Sequence, residues 1–560
     1  MRILLSYKAS GASARDPYTA LLPTGLLSLH AILRQRGCAA KLANFSTFSW
    51  QQVAAQLREL RPELLGVSQF THNRFAALRL AELVKEANPA CFVVFGGPHA
   101  TFRWEALLAP DTPVDAVVIG EGEETLVELV GCLASGRAGE LAQVPGLALR
   151  GAGGPYPTPP RPPLADLDRL PLPFPFLDDA IGLDLQRQLS FLVSSRGCPA
   201  SCRFCSSPFF WGRGIRFRSP RSLVDEIRVL RDRYGLIYVS LRDDTFTADR
   251  HRVLDFCRLL REERLHVLWN CQSRVSHVDE ELLIAMKRAG CECIQFGIET
   301  GSPRILAELG KQITPHQVRR AAALVRRVGI QLSIYLITGV EGETEQDLRQ
   351  TLALIDEIQP ADGQVAPLAY YPGTALFARN VQEGKVRAEL FEAVRDEALF
   401  VRTDPFVAEA QQALLERLAA VGRRARFSRR EIAGQKERLG FCAVTNVLAG
   451  MQAGERDDGA TVEREYRELT LREPDNPWGW LLLGELRGAR GEVGPAEEAL
   501  SRVLALVPRH APAHASLGEL ARLAGDRCRA EERYRQALRL DPREPVALQG
   551  LRLLGRGSRR

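Results

Sequence analysis

No stretch of this 560-residue chain holds the roughly 20 consecutive apolar residues that a bilayer-spanning helix needs, so no membrane span is expected. The start, Met1-Arg2-Ile3-Leu4-Leu5-Ser6-Tyr7-Lys8, has too short an apolar run for a signal peptide. Nor is there a basic run. The formal net charge of +6 is small for this length, and Lys and Arg are scattered through helical patterns, which gives no indication of nucleic-acid binding. The 12 cysteines come without a secretory signal, so they are expected as reduced thiols in a cytoplasm and not as a disulfide framework. The remaining composition, 45% hydrophobic and 25% charged, is that of an ordinary globular protein. The length calls for three or four folding units.

Three of the cysteines carry the chemistry. Cys198, Cys202 and Cys205 fall in Gly197-Cys198-Pro199-Ala200-Ser201-Cys202-Arg203-Phe204-Cys205, just after the apolar run Leu189–Val193. Thiolates so close in an intracellular chain read as metal or cluster ligands. No fourth cysteine stands beside them, so a [4Fe–4S] cluster held here would keep one iron open. A zinc site or three unrelated thiols is the rival reading.

Upstream, residues 1–135 alternate apolar runs (Ile3–Leu5, Leu64–Ser68, Cys91–Phe95, Val114–Gly120) with helical patterns (Leu22–Arg36, Phe75–Ala87, and one from Glu124). This predicts an α/β fold with a doubly wound parallel sheet and a ligand crevice at the carboxyl ends of its strands. The strand-end loops are Ser68-Gln69-Phe70-Thr71, Gly96-Gly97-Pro98-His99 and Gly120-Glu121-Gly122-Glu123. Their glycines would let the backbone approach a ligand or simply make tight turns. From Gly151 to Pro175 nine prolines predict an extended connector. Alternation then restarts, with strands expected at Leu189–Val193, Leu236–Leu241, Val267–Cys271, Cys293–Gly297, Leu332–Thr338 and Gln364–Tyr370. Acidic segments stand at their ends: Arg242-Asp243-Asp244-Thr245, Gly297-Ile298-Glu299-Thr300-Gly301 and Gly339-Val340-Glu341-Gly342-Glu343-Thr344. Taken singly, each acid could be a helix cap or a solvated side chain.

The CxxxCxxC spacing, with aromatic Phe204 before the last cysteine, resembles the signature of the radical S-adenosylmethionine (SAM) enzymes, and the glycine loops before it resemble the cobalamin-binding domain that precedes many such cores. The resemblance implies a Rossmann-like cobalamin-binding domain at 1–145, a proline-rich linker at 146–183, a partial (β/α)6 radical SAM barrel at 184–375 and a helical extension at 376–455. It implies a [4Fe–4S] cluster on Cys198, Cys202 and Cys205, with SAM chelating the open iron near Phe204. Asp243 or Asp244 would take the SAM amino group and Glu299 the ribose. Ser68, Thr71, Gly96, Gly97, His99, Gly120, Glu121 and Gly122 would meet cobalamin. Better-known cobalamin domains carry an Asp-x-His-x-x-Gly motif, but aligning its glycine on Gly25 puts Leu22 at the histidine and Ala20 at the aspartate. The cobalt is therefore expected to lack a protein histidine.

Two further stretches are less telling. The aromatics of Ser207–Arg218 would wall off the cluster or line the substrate cavity, and Tyr335, Tyr370 and Tyr371 would face the substrate or pack in the core. Beyond 456, Pro474, Pro508 and Pro542 recur every 34 residues, as do Tyr466, Leu500 and Tyr534. That period resembles the tetratricopeptide repeat, implying α-helical repeats that bind a peptide or protein partner or merely cap the enzyme. The expected activity is methylation of an unactivated carbon through methylcobalamin after SAM is cleaved to a 5′-deoxyadenosyl radical, with electrons from a flavodoxin- or ferredoxin-type donor. Methylation at phosphorus and radical cyclisation or rearrangement use the same parts. A partner-binding repeat protein with a vestigial core is the non-enzymatic alternative. The catalytic side chains and the substrate are not legible.

Overall fold

The computed structural model describes residues 1–9, 19–212 and 214–556; Arg213, in the aromatic stretch, lies outside the described residues. The first unit runs β1 (Arg2–Tyr7), α1 (Thr24–Gln35), β2 (Ala39–Asn44), α2 (Trp50–Leu60), β3 (Leu64–Ser68), α3 (Arg74–Ala87), β4 (Phe92–Gly96), β5 (Ala116–Val118), α4 (Glu123–Ala134), β6 (Leu147–Gly151) and β7 (Gly154–Pro157). Its seven-stranded sheet is ordered β2-β1-β3-β4-β5-β6-β7. β1 to β5 are parallel, while β6 and β7 are antiparallel additions. Alternate residues of β1 and β4 enter opposite cores: Leu4, Val93 and Phe95 on one face, Ile3, Leu5 and Val94 on the other. A sheet buried on both faces in this way is the doubly wound arrangement, and its crevice opens where β1 meets β3.

The proline-rich segment is not wholly a connector. Gly154–Pro157 pairs with Leu147–Gly151 at the sheet's outer edge, where a missing N–H leaves no ladder bond unmade. The pair β2 and α2 escaped the apolar-run reading because β2 alternates exposed and buried residues only at its start.

The second unit is a six-stranded, all-parallel sheet: β8 (Phe191–Leu192), β9 (Tyr238–Leu241), β10 (Leu268–Ser273), β11 (Cys291–Glu299), β12 (Gln331–Thr338) and β13 (Asp362–Pro367), in sequential order. Between them lie α5 (Pro220–Tyr234), α6 (Arg250–Glu262), α7 (Glu280–Arg288), α8 (Pro303–Glu308), α9 (Pro315–Val328) and α10 (Glu345–Ile358). The first and last strands begin later and earlier than expected: Leu185–Leu189 is a short helix, and β13 ends at Pro367. The sixth barrel helix, α11 (Pro405–Gly422), comes after an excursion and lies inside the stretch expected to be a separate extension. Its Leu418 packs on Gly363 of β13 and its Val407 on Gly339.

The rest is helical: α12 (Arg429–Leu439), α13 (Ala443–Gly454), α14 (Gly459–Arg472), α15 (Pro477–Ala489), α16 (Val493–Leu506), α17 (Ala511–Leu523), α18 (Arg527–Leu540) and α19 (Pro545–Arg556). The starts of α13, α15, α17 and α19 keep the 34-residue period, so the first repeat begins near 443, ahead of the expected 456.

The turns between hairpins land on the base of the barrel, at the strands' amino ends. Leu439 O accepts from Arg288 before β11. Asp475 pairs with Arg264 (2.5 Å) and His266 (3.1 Å) before β10. Arg509 O lies against Gly235 before β9, and Leu540 O accepts from Gln186 before β8 (3.3 Å). Burial alone would raise the Asp475 carboxyl, yet hydrogen bonds from Arg264 and His266 hold it at about 2. Within the helical region Arg426 pairs with Glu455 and Arg429 with Asp458.

Candidate active site

The cysteine loop follows β8 and is tied down on both sides. Gly197 has φ +99°, and a Cβ there would strike Gly214 O, so only glycine lets the loop pass so close. Arg203 N donates to Leu309 O (2.9 Å) and Arg203 O accepts from Leu376 N (2.8 Å). Phe204 packs its ring on the apolar cluster of Leu309, Leu368 and Leu376. It therefore anchors the loop from beneath and is not among the residues lining the large cavity described below.

The three thiols differ in surroundings. Cys198 Sγ lies 3.5 Å from Thr245 Oγ1, and Cys202 Sγ accepts from Arg274 Nη1 (3.8 Å). Burial pushes the Cys205 thiol up to about 12. The set is all thiol, the donor type that holds a cubane cluster with each thiolate on a different iron.

The paired aspartates after β9 divide their tasks. Asp243 is fully buried and accepts from Ser194 N (2.8 Å), Ser194 Oγ (2.7 Å) and Ser195 Oγ (2.6 Å). It is spent on the loop and, unlike Asp244, does not line the cavity described below. Asp244 is open to the cavity beside Cys205 and takes the Ser207 hydroxyl. Burial raises its carboxyl above the usual range, the Ser207 bond opposes this, and Asp243 adds to the rise. Glu299, at the end of β11, has φ +63°, a strained conformation for a residue with a Cβ. Its carboxylate is bound by Lys311 Nζ at 2.6 Å, both groups buried. Lys311 gave no signal in the sequence, because nothing in a lysine twelve positions on says which way the turn after α8 folds. At the end of β12, Glu343 accepts from Gly339 N (2.6 Å) and Val340 N (3.2 Å), which closes the turn.

A cavity of about 590 Å³ lies between the two sheets, a size common for ligand sites. One wall carries Gly25, Ser68, Gly96, Gly97, Gly120, Glu121 and Gly122; the other carries Cys205, Phe210, Trp211 and Asp244. Cβ atoms built on Gly25 and Gly120 would meet no protein atom within 4 Å; they would stand in the cavity. The floor is apolar, with Leu5, Leu26, Val67 and Val94. A broad apolar cradle lined by glycine backbone fits the face of a corrin.

Two expected cobalamin contacts, Thr71 and His99, do not line this cavity. His99 is buried, its Nδ1 3.0 Å from Thr71 Oγ1, and it packs edge-on against Phe391. Burial, with Arg74 and Arg103 nearby, lowers its pKa to about 3, so a neutral imidazole is satisfied locally by Thr71. Glu121 lines the cavity but is ion-paired to Arg196 (3.3 Å) and Arg216, and accepts from Leu164 N (2.9 Å). Burial would raise its carboxyl, but these partners bring it below the usual range. It clamps the first unit to the cysteine loop. Among the described residues no histidine lines the cavity, and His30 turns its Nε2 to Ala40 O (3.2 Å). Leu22, at the position aligned with the motif's histidine, is buried and does not line the cavity.

Comparison with known proteins agrees with this geometry. The radical SAM superfamily matches residues 192–355 and the B12 binding domain residues 15–130. An uncharacterized methyltransferase of Pyrococcus horikoshii is 33% identical over 362 residues, 63% of this chain and 77% of that protein. The anaerobic magnesium-protoporphyrin IX monomethyl ester cyclase of Rubrivivax gelatinosus is 32% identical over 350 residues, 61% of this chain and 62% of its own length. The solved structure of OxsB, a cobalamin-dependent SAM radical enzyme with aqua-cobalamin bound, superposes with a TM-score of 0.59 at 15% identity, covering 99% of this chain and 81% of OxsB. The chain belongs to the radical SAM enzymes that carry an N-terminal B12 binding domain. Its cofactors are a [4Fe–4S] cluster, SAM and cobalamin.

Proposed function

We propose that this enzyme is a methyltransferase acting on an unactivated carbon. The observation that carries the reading is the single cavity shared by Cys205 and Asp244 on one side and the glycine loops of the first sheet on the other. When bound, the cluster and SAM supply radical initiation and the corrin carries the methyl group. Cys198, Cys202 and Cys205 would hold the cluster, Asp244 the SAM amino group, and Glu299, oriented by Lys311, the ribose. The backbone of Ser68, Gly96, Gly97, Gly120 and Gly122 would cradle the corrin, with no imidazole among the described residues that line the cavity. The clamp of Glu121 on Arg196 and Arg216 fixes the distance between the two seats, and the apolar walls keep water from reactive species.

Enzymes of this class need an external reductant, here proposed as a flavodoxin- or ferredoxin-type protein in the cytoplasm. No helix among the described residues is long and apolar enough to cross a membrane. The peptide or protein partner expected for the repeats would take the surface left free by the docked turns.

Radical cyclisation is the second reading, favoured by the likeness to the Rubrivivax cyclase; methylation at phosphorus would show as a phosphorus-bound label in the same assay. Anaerobic incubation of reconstituted enzyme with methyl-labelled SAM and an extract of a strain lacking the gene tests all three. Label on a product carbon is expected; an unlabelled product lighter by two hydrogens would replace methyl transfer with cyclisation.

A further inference from the structure

Arg274 follows β10 directly and is 8% exposed. A buried guanidinium is normally matched by a carboxylate, because an uncompensated charge inside a protein is expensive. Arg196 meets Glu121 and Glu123, Arg218 meets Glu226 and Arg74 meets Asp396, while buried Arg252 is met by the oxygens of Ser194 and Arg218. The Arg274 guanidinium has neither a carboxylate nor an oxygen acceptor among the described residues. The one hydrogen-bond partner of this guanidinium among them is Cys202 Sγ, at 3.8 Å from Nη1, and Cys202 is itself 5% exposed. A guanidinium only donates, so the sulfur must accept, and a thiolate accepts far better than a thiol. The titratable neighbour on the same strand end is His277, whose imidazole offers no negative charge.

We infer that Arg274 is the counter-charge of the iron–sulfur cluster, acting at Cys202, and that it raises the cluster's reduction potential. The inference rests on the cluster reading of the three cysteines. Hydrogen bonds to cluster sulfur and nearby net charge are two of the terms that set such potentials. A cation held against one thiolate favours the reduced cluster, which carries one more negative charge. It makes electron entry easier and the reduced cluster a milder donor. Arg274 is thus a positioning and tuning residue; it touches a ligand, not the reacting atoms. The sequence shows an arginine at a strand end but not that its side chain crosses to the cysteine loop.

The test uses the full-length chain, purified without oxygen, as wild type, Arg274→Gln and Arg274→Lys. Iron and sulfide content are measured first. Cluster potentials are then read by EPR-monitored redox titration without SAM, and melting temperatures are compared with and without the cluster. The Gln variant is expected to titrate at lower potential than wild type, and the Lys variant near wild type. The apo Gln variant is expected to melt no lower than apo wild type, since it removes an unpaired buried charge, while the cluster-loaded Gln variant melts below its wild-type counterpart. A Gln variant that folds normally as apoprotein but retains little iron supports the same role. An unchanged SAM-free potential, with only SAM affinity weakened, would overturn the inference and pair Arg274 with the SAM carboxylate instead. A Gln apoprotein markedly less stable than wild type would also overturn it, making Arg274 a packing residue. Loss of iron from Cys202→Ala is the separate check on the cluster itself; if that variant keeps its cluster, the underlying reading fails first.

Discussion

Ser195 gives its hydroxyl to the carboxylate of Asp243 at 2.6 Å, so the aspartate next to the cavity-facing one is committed to the backbone that leads into the cysteines. The two acids should therefore fail differently. Asp244→Asn is expected to keep its iron and weaken SAM binding by about 2 kcal/mol, on the order of 30-fold. Asp243→Asn should lose iron and stability together, because Ser194 and Arg252, which itself bonds Ser194 Oγ at 2.6 Å, lose their shared anchor. Iron analysis and SAM titration of the pair separate the roles; equal loss of SAM affinity with full iron in both would undo the division.

Gly25 lies in the first turn of α1 and lines the cavity with nothing within 4 Å of a built Cβ. Gly25→Leu should leave the melting temperature unchanged or raise it, since leucine is the better helix former by less than about 1 kcal/mol. Its side chain would occupy the corrin's space. Visible absorption of the protein after incubation with cobalamin should show binding weakened at least about tenfold, which is roughly 1.4 kcal/mol. Normal cobalamin uptake would move the corrin elsewhere.

His510 accepts from Ala513 N (3.1 Å) at the head of α17, next to the turn that meets Gly235. Burial, with His514 nearby, lowers its pKa to about 4. The folded chain holds this imidazole neutral while the unfolded chain protonates it near its ordinary value. Stability should therefore fall as pH drops from about 6.5 towards 4, by on the order of 3 kcal/mol for this group alone, and level off below. Denaturant midpoints of wild type and His510→Asn across that range test it, because the variant should lose that part of the slope.

Trp478 donates its indole N–H to Ile237 O at 3.3 Å and packs with Ile237 and Leu268 across the junction of repeats and barrel. Trp478→Ala should cost about 3 kcal/mol. A chain ending at Cys442 should be insoluble, because it bares the apolar base of the barrel. A soluble, cluster-binding truncation would mean that the repeats are a detachable module.

The elements that bury both faces were readable, because a continuous apolar run followed by a helical period leaves few alternatives. The strands expected at Leu236–Leu241 and Leu332–Thr338 fall at Tyr238–Leu241 and Gln331–Thr338. The edge strand Gly154–Pro157 was hidden by prolines that only an edge tolerates, and α11 by the excursion before it. Within the site, Cys198, Cys202 and Cys205 were plain because their spacing is local. The choice between Asp243 and Asp244 was not, since it depends on which neighbour turns towards Ser194 across 49 residues. Lys311, Arg274 and the clamp of Glu121 on Arg216 share that property: each is a contact between strand-end loops, and sequence order says little about which loops meet.

The docking of successive repeat turns on successive barrel strands has one more consequence. Repeat arrays commonly grow or shrink by whole units, since each unit needs only its neighbours. Here the turns at 439, 475, 509 and 540 answer to β11, β10, β9 and β8 in turn. Inserting or deleting an internal repeat would throw every later turn out of step with its strand. The array has lost its freedom of length: its copy number is fixed by the barrel beneath it.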